Sequence, residues 1–550
     1  MRQTGVYMNQ MTARWMDAAL IKPVEAAAAV QVEERYPQHK WLIALAVMLG
    51  TVLEILDSSI VNVSLPHMQG SFSASVDEVT WVVTSYLVAN GIMIPLTGWI
   101  SARFGRKRYF MLSVSAFVVA SAMCGAAQTL DQMVIFRLIQ GFAGAAMAPS
   151  SQAIMMETFP PQEQQLAMAT WSLGLMVAPV LGPTVGGWIT DNWSWRWNFY
   201  INVPIGLIAT LMVYTFLHDP PYLKVRRGGK VDYLGIVCLT SGLGLMQLVA
   251  DRGQRADWFS TPWVTYATAA CAVALIIFTW RELVFPDPVV DLSIFKYPMF
   301  TVTVMLTVML SFAQYGANLL NPIFLQEYMG YTAWKAGLAL APRAFGTAFS
   351  LLLVGQLARR GVNTRTFIGP AFILTALALW RMSHWNSQIS MWQVTGPVVL
   401  QGIGTGLVFP QLSAISLASV RRERMGYASS LFNMMRNTGA AIGISFLTSL
   451  FIDQQQIHQS RLTEHFSIFD AWRLSEQAPR MPGAPEFGIT RLQMGHKEGL
   501  AMIYNIIQSQ AAVLAFNDLY RMLAVFLIAM IPFYFVLRRA PMSVGAEPGH

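Results

Sequence analysis

The sequence predicts an all-α polytopic membrane protein with fourteen transmembrane helices, and three observations carry that prediction. Only 12% of its 550 residues are Asp, Glu, Lys or Arg, about half the charge expected of a soluble chain. Apolar residues make up 54%, and the mean hydropathy is +0.45. Apolar runs of about 20 residues, long enough to cross a hydrocarbon core of roughly 30 Å, recur from end to end.

The mixed segment MRQTGVYMNQMTARWMDAALIKPVEAAAAVQVEERYPQHK precedes the first run. A signal peptide is shorter and nearer the start, so residues 1–40 read as a retained cytoplasmic tail. A window of about 19 residues then places helices near 41–64, 79–100, 109–128, 132–156, 165–189, 197–217 and 232–250. Seven more fall near 262–282, 299–321, 334–357, 365–384, 391–416, 425–451 and 519–538. Gly and Pro inside these runs are compatible with membrane helices. Cys124, Cys238 and Cys271 each lie in such a run, and no CxxC or His/Cys spacing accompanies them. They read as packing residues, with neither a disulfide framework nor a metal site expected.

Charge in the connections agrees with the assignment. The second-to-third loop holds Arg103, Arg106, Lys107 and Arg108, and the sixth-to-seventh holds Lys224, Arg226, Arg227 and Lys230. Later even-numbered loops hold Arg359, Arg360 and Arg365, then Arg421, Arg422 and Arg424, and Arg538 and Arg539 follow the last helix. Short odd-numbered loops carry Asp77, Glu78, Asp131 and Asp191 instead. The positive-inside rule puts both termini in the cytoplasm. The net charge of +8 is therefore topological, and no nucleic-acid partner is expected. One odd-numbered loop, 452–518, is long and polar, with PRMPGAPEFG and a short helix expected near HKEGLAMIYNIIQSQ. Loops of this length are functional or disordered.

GWISARFGRKR at 98–108 follows the second helix, and a similar GQLARRGVNTR at 355–365 follows the tenth. Two six-helix halves with an inserted helix pair place these segments equivalently. That gives a bundle at 41–217, an inserted pair with its linkers at 218–298, a second bundle at 299–540 containing the 452–518 loop, and a cytoplasmic tail at 541–550. Repeated halves are usual in secondary transporters, whose substrates bind between them near mid-membrane.

Within this apolar frame the first helix carries two acids, Glu54 and Asp57, in TVLEILDSSIVNVSLP, and FRLIQGFAGAA puts Arg137 inside the fourth. Asp57 lies sixteen residues beyond Trp41, about 24 Å along the helix. Arg137 runs inward from the opposite face and lies about 9 Å deep, so both belong to the outer half of the core. A guanidinium there must face a cavity, meet a partner or snorkel to the interface. Glu54 and Ser58 share a helical face, so the acids belong to a polar stripe, and Ser58 and Asn62 are cavity-lining candidates.

The fifth helix carries the most specific motif, GLMVAPVLGPTVGG at 174–187. Ala178-Pro179, Gly182-Pro183 and Gly186-Gly187 recur every four residues and, with Gly174, form a stripe that lets another backbone approach. Pro183 removes a backbone hydrogen bond and is expected to bend the helix. From about residue 41 to 540 the chain resembles the major facilitator superfamily, in its fourteen-helix drug:proton antiporter group of the EmrB/QacA type. The resemblance implies the major facilitator fold, with the 174–187 stripe as the antiporter motif, a hinge or seal between bundles; simple tight helix packing is the alternative, and the two overlap physically. Gly98, Arg103, Gly105, Arg106 and Lys107 match the cytoplasmic gating loop. Ala102 stands where the family usually has Asp, and Glu157, otherwise an interface acid, is a candidate substitute anion. LDSSIVNVSLP matches the family's first helix, which makes Asp57 the stronger proton-coupling candidate; it is expected to meet Arg137 directly or through water. Glu54 is a second proton carrier or a substrate contact. WRWNFYINVP at 195–204 matches the start of the sixth helix and reads as an aromatic interfacial belt. Gln314, Asn318, Arg436 and Asn437 are second-half cavity candidates, although pairing between helices explains buried amides as well.

No phosphate-binding loop, zinc motif or nucleophile elbow is present, so an enzyme is not expected. The expected function is proton-driven export of hydrophobic or amphiphilic compounds across a bacterial inner membrane, with H⁺ as coupling ion and no other cofactor. The resemblance further implies a periplasmic adaptor and an outer-membrane channel as partners. A solute:proton symporter or an exporter of one metabolite is the alternative on the same fold.

Overall fold

Long runs without interior charge have one way to satisfy their backbone in lipid, which is to close every hydrogen bond within a helix. In a computed structural model, which describes residues 39–219, 231–285, 288–359, 362, 364–464 and 497–539, each of the fourteen expected segments is helical. They are α1 (Lys40–Phe72), α2 (Trp81–Phe104), α3 (Arg106–Ala126), α4 (Leu130–Thr158), α5 (Gln164–Asn192), α6 (Trp197–Phe216) and α7 (Tyr233–Arg252). There follow α8 (Pro262–Val284), α9 (Pro298–Tyr328), α10 (Lys335–Leu357), α11 (Ile368–Met382), α12 (Met391–Ala418), α13 (Met425–Glu464) and α14 (Tyr504–Leu537). Eleven of them, among the described residues, are long and apolar enough to cross a membrane by themselves. The fold is all-α.

Three boundaries depart from expectation. Helix α1 continues through Pro66 to Phe72, where Ser73 turns left-handed at φ 51°. The 452–518 loop is shorter than expected, because α13 runs on to Glu464 and helix resumes at Lys497. The short helix expected at HKEGLAMIYNIIQSQ is therefore the beginning of the last transmembrane helix. The PRMPGAPEFG stretch, the 218–230 linker cations, both tails and part of the 355–365 echo lie outside the described residues.

Pairing repeats between the halves. Helix α1 packs on α5 and α2 on α4 in the first, as α9 packs on α13 and α10 on α12 in the second. One buried cluster fills the second bundle, from Leu306 to Leu537. A second fills the first bundle and takes in Ala414, Met425 and Phe432 from α12 and α13. The halves thus join at the end that carries Arg106 and Arg424, here termed the basic end. The two echoes sit at equivalent places on this seam. A Cβ on Gly98 would lie 2.8 Å from Gly426 O on α13, and one on Gly355 would lie 2.8 Å from Leu166 Cδ1 on α5.

Helix α7 packs against α2 and α13. At its other end Thr84 donates to Asp251 at 2.5 Å and Arg252 to Thr80 at 3.0 Å. Beyond it, Trp258 Nε1 donates to Ser449 on α13 at 2.9 Å. Ser75 and Glu78 cap the short helix before α2 reciprocally, and the hydrogen bonds from Ser75 hold the Glu78 carboxyl below its usual range.

Candidate functional site

Helix α1 delivers Asp57 to a point walled by α2, α3, α4 and α6, where it has no exposure; Arg137 is 1% exposed. Arg137 Nη1 donates to Asp57 Oδ2 at 2.6 Å, so the expected meeting is a direct ion pair. Asp57 Oδ1 accepts from Gln140 Nε2 at 2.9 Å and from Asn202 Nδ2 at 2.7 Å. The guanidinium also donates to Val82 O at 3.1 Å and Gln140 Oε1 at 2.8 Å. Its plane lies over Tyr86, 4.3 Å from the ring centre. A buried ion pair persists only when its remaining donors and acceptors are satisfied, and here α2, α4 and α6 supply the partners. Arg137 and Gln140 share a face of α4 because they are three residues apart.

Gln140 and Asn202 were not among the sequence candidates. Both lay inside quoted motifs, Gln140 in FRLIQGFAGAA and Asn202 in WRWNFYINVP. A carboxamide within an apolar run was the available signal. The WRWNFYINVP segment is thus more than an interfacial belt, since it places Asn202 on the buried carboxylate.

Glu54 stands one turn away, with Oε1 accepting from Asn90 Nδ2 at 3.0 Å on α2. Its Oε2 is buried and accepts no close hydrogen bond, with the backbone N–H of Ala148 on α4 the other donor that acts on this carboxylate. Ser58 turns back to Ile55 O at 2.8 Å, and Asn62 is exposed. In the second half Gln314 accepts from Thr405 on α12 at 3.1 Å, and Asn318 accepts from Arg343 on α10. Those two amides pair between helices. Arg436 contacts Asn437 at 3.3 Å and lies 5.6 Å from the Phe409 ring centre. Asn437 lines a small cleft with Gly91, Met246 and Gln247, between α2, α7 and α13.

The gating-loop residues gather at the basic end. Arg106, 3% exposed, pairs with Glu157 on α4. Lys107 donates its backbone N–H to Asp219 at 2.8 Å and its ammonium to Tyr214 O at 2.6 Å, while Arg103 lies over Trp99. Gly105 sits at φ 90°, and a Cβ there would lie 2.7 Å from Asp219 Oδ2. Gly105→Ala is expected to lower stability by about 1–3 kcal/mol through backbone strain, measured as a lower Tm of the purified protein. Beside this loop, Gln152 ties the halves together. It donates to Ser413 at 3.1 Å and accepts from Asn433 at 2.5 Å, and Thr97 meets Ser430 at 2.6 Å. Sequence reasoning missed Gln152 and Asp219, because their partners lie in other helices or across a loop.

The 174–187 stripe faces α1. A Cβ on Gly174 would lie 3.0 Å from Met48 Cε and one on Gly186 2.9 Å from Ile60 Cγ2, while one on Gly182 would strike Ser59. Gly187 has room, with Val63 at 3.8 Å, and Ala178 is buried beside Leu56 and Ile60. The helix remains continuous through Pro179 and Pro183. The glycines therefore press on α1 within their own half, and α5 meets the opposite bundle through α10 and α12.

The sequence pattern of the Major Facilitator Superfamily matches residues 47–444. The chain is 36% identical over 432 residues to the multidrug export protein EmrB of Haemophilus influenzae, covering 78% of this chain and 84% of that one. It is 32% identical over 530 residues to EmrB of Escherichia coli K12, covering 96% and 99%. It is also 32% identical over 510 residues to the fatty acid resistance protein FarB of Neisseria gonorrhoeae, covering 92% and 97%. Among solved structures, the human organic anion transporter MFSD10 superposes with a TM-score of 0.58 at 14% identity, covering 89% of this chain and 99% of that one. At that identity the likeness concerns the fold alone.

Proposed function

This chain belongs to the Major Facilitator Superfamily as a drug exporter of the EmrB type, and on that premise we propose that it exchanges protons for hydrophobic or amphiphilic compounds by alternating access. The observation that carries the proton assignment is Asp57, fully buried and ion-paired to Arg137. Neutralising Asp57 with a proton leaves Arg137 without its counter-charge in a dry site, which is costly unless the surrounding helices rearrange. Proton occupancy and conformation are thereby linked, because the two arrangements of the helices bind the proton differently.

The basic end faces the cytoplasm in this reading, as the cation-rich loops favour. The hydrogen bonds of Gln152 and Thr97 then close the cytoplasmic side of the cavity. Protons load Asp57 from outside as substrate leaves, the seam at Gln152 and Gly98 opens, and loss of the proton inside restores the ion pair around newly bound substrate. Glu54, whose Oε2 accepts no close hydrogen bond next to the same cavity wall, serves as a second proton carrier or a contact for substrate. Helix α13 has 40 residues, about 60 Å, and outlasts a hydrocarbon core of roughly 30 Å. Its outer part is tied to α14 by His458 and Asp518 at 2.8 Å. This projecting hairpin is the surface an adaptor protein would meet in a tripartite assembly.

Reconstituted into liposomes, the wild-type chain is expected to move an amphiphilic dye against its gradient when a pH gradient is imposed, and to stop when an ionophore collapses it. Dye movement in the same direction as the protons would establish symport and overturn this reading.

A further inference from the structure

The hydrogen bonds around Asp57 pose a chemical problem for a proton. Its Oδ1 takes both of its bonds from amide NH₂ groups, which can donate but not accept. A protonated carboxyl needs an acceptor for its own O–H. One stands beside it: Asn202 Oδ1 is buried and accepts no hydrogen bond. The Nδ2 of the same amide donates to both Asp57 Oδ1 at 2.7 Å and Ser121 Oγ at 2.9 Å. Gln140 is less free to serve, because its Oε1 already accepts from Arg137 at 2.8 Å and faces Cys124 Sγ at 3.5 Å.

We propose that Asn202 is a positioning residue that follows the proton on Asp57 by turning its amide half a revolution about χ2. With Asp57 ionised, Nδ2 donates to the carboxylate, as observed. When a proton arrives from the outer side, Oδ1 takes the place of Nδ2 and accepts the new Asp57 O–H. The proton stays on Asp57, and only hydrogen bonds are exchanged. Ser121 now loses a donor and faces an acceptor. Its hydroxyl, which donates to Phe199 O at 2.9 Å, turns toward Asn202 Oδ1 instead. That frees the carbonyl of Phe199 in the first turn of α6, next to the break at Ile201 between Trp197–Tyr200 and Asn202–Phe216. The proton on α1 is thus relayed to the backbone of α6 through α3.

The titratable and charged groups around Asp57 are few. They are Glu54 on its own helix, Tyr86 from α2, Cys124 from α3 and Arg137 from α4. Helix α6 contributes Asn202, and α5 has no acid or base except Asp191 near its far end. A shift caused by Asn202 therefore has one acidic group to act on directly.

The inference rests on Asp57 being the proton site, and the test separates the two. The full-length protein in lipid is titrated by infrared difference spectroscopy, with ¹³C-labelled asparagine, and the carboxylic acid band absent from Asp57→Asn is followed. Asn202 donates to the ionised form, so its removal favours protonation. In Asn202→Leu, which also removes the acceptor for the protonated form, the midpoint of that band is expected to move to higher pH by about one unit, the margin by which a hydrogen bond to a charged group exceeds one to a neutral group. Asn202→Ser, whose hydroxyl donates and accepts, is expected to recover most of the shift, and Ser121→Ala to show a smaller one. In the wild type a labelled asparagine carbonyl band should shift with the same midpoint, and Asn202→Leu and Asp57→Asn should both lack that shift. An unmoved midpoint in Asn202→Leu, or a labelled band that persists in either Asn202 variant, overturns the amide relay. If Asn202→Leu fails to fold, the wild-type label and Asn202→Ser decide. If Asp57→Asn removes no acid band, the proton-site reading fails and the relay with it.

Discussion

Asp57→Asn is expected to abolish transport driven by a pH gradient, with the initial rate in liposomes falling at least about 100-fold, as on loss of a positioned proton-transfer group. The substitution is nearly isosteric, so the side chain still fits among Arg137, Gln140 and Asn202, although its NH₂ cannot accept from them as the replaced oxygen did. What it removes is the capacity to alternate between charged and neutral forms. Substrate binding in detergent should persist, because the amphiphile is expected in the cavity rather than in this dry four-helix site. Facilitated movement of dye down its own gradient should also persist in some measure. Glu54→Gln supplies the contrast. If Glu54 is a substrate contact, the variant keeps its response to the pH gradient and loses affinity; if it carries a proton, the coupling changes. Full gradient-driven transport by Asp57→Asn would remove the coupling assignment.

The second large effect is on stability. Arg137→Ala leaves the Asp57 carboxylate buried without its cation and is expected to cost about 3–5 kcal/mol, measured as a fall in Tm and a loss of folded protein in the membrane. Arg137→Lys should recover only part of this. A lysine retains the charge but lacks the planar fork that reaches Val82 O, Gln140 and Asp57 together. The informative comparison is the double variant Asp57→Leu/Arg137→Met. Replacing both members of a buried pair with apolar groups is often neutral or stabilising, so this variant should regain much of the lost stability and none of the transport. A double variant as unstable as Arg137→Ala would mean that the ion pair itself, rather than the orphaned charge, dominates the loss.

How far the sequence could be read follows from the range of each physical signal. Hydropathy is local, so each of the fourteen segments was visible in its own twenty residues, and loop charge was visible in short connections. Depth along a helix is also local arithmetic, and it placed Asp57 and Arg137 at similar levels before any packing was known. Helix ends at the interface were harder. Beyond Phe451 the chain turns polar, which removed the hydropathy signal, while the backbone stayed helical to Glu464. The beginning of the last helix was hidden in the same way.

The partners of the site were of a different kind. Whether Gln140 and Asn202 reach Asp57, and whether Gln152 reaches Asn433, depends on the rotation of several helices about their own axes. An error of one residue in that rotation moves a side chain about 100° around its helix. The same limit explains the 174–187 stripe. Its spacing announced a close backbone approach, but only packing showed that the approaching helix was α1 and not the opposite bundle. By itself, then, the sequence determined the membrane class, the helices and which of them carry acids and a cation inside an apolar run, because those follow from composition within one helix. The tertiary structure alone decided which polar groups share a hydrogen bond and at which end the two halves join, because those depend on contacts between residues up to 333 positions apart.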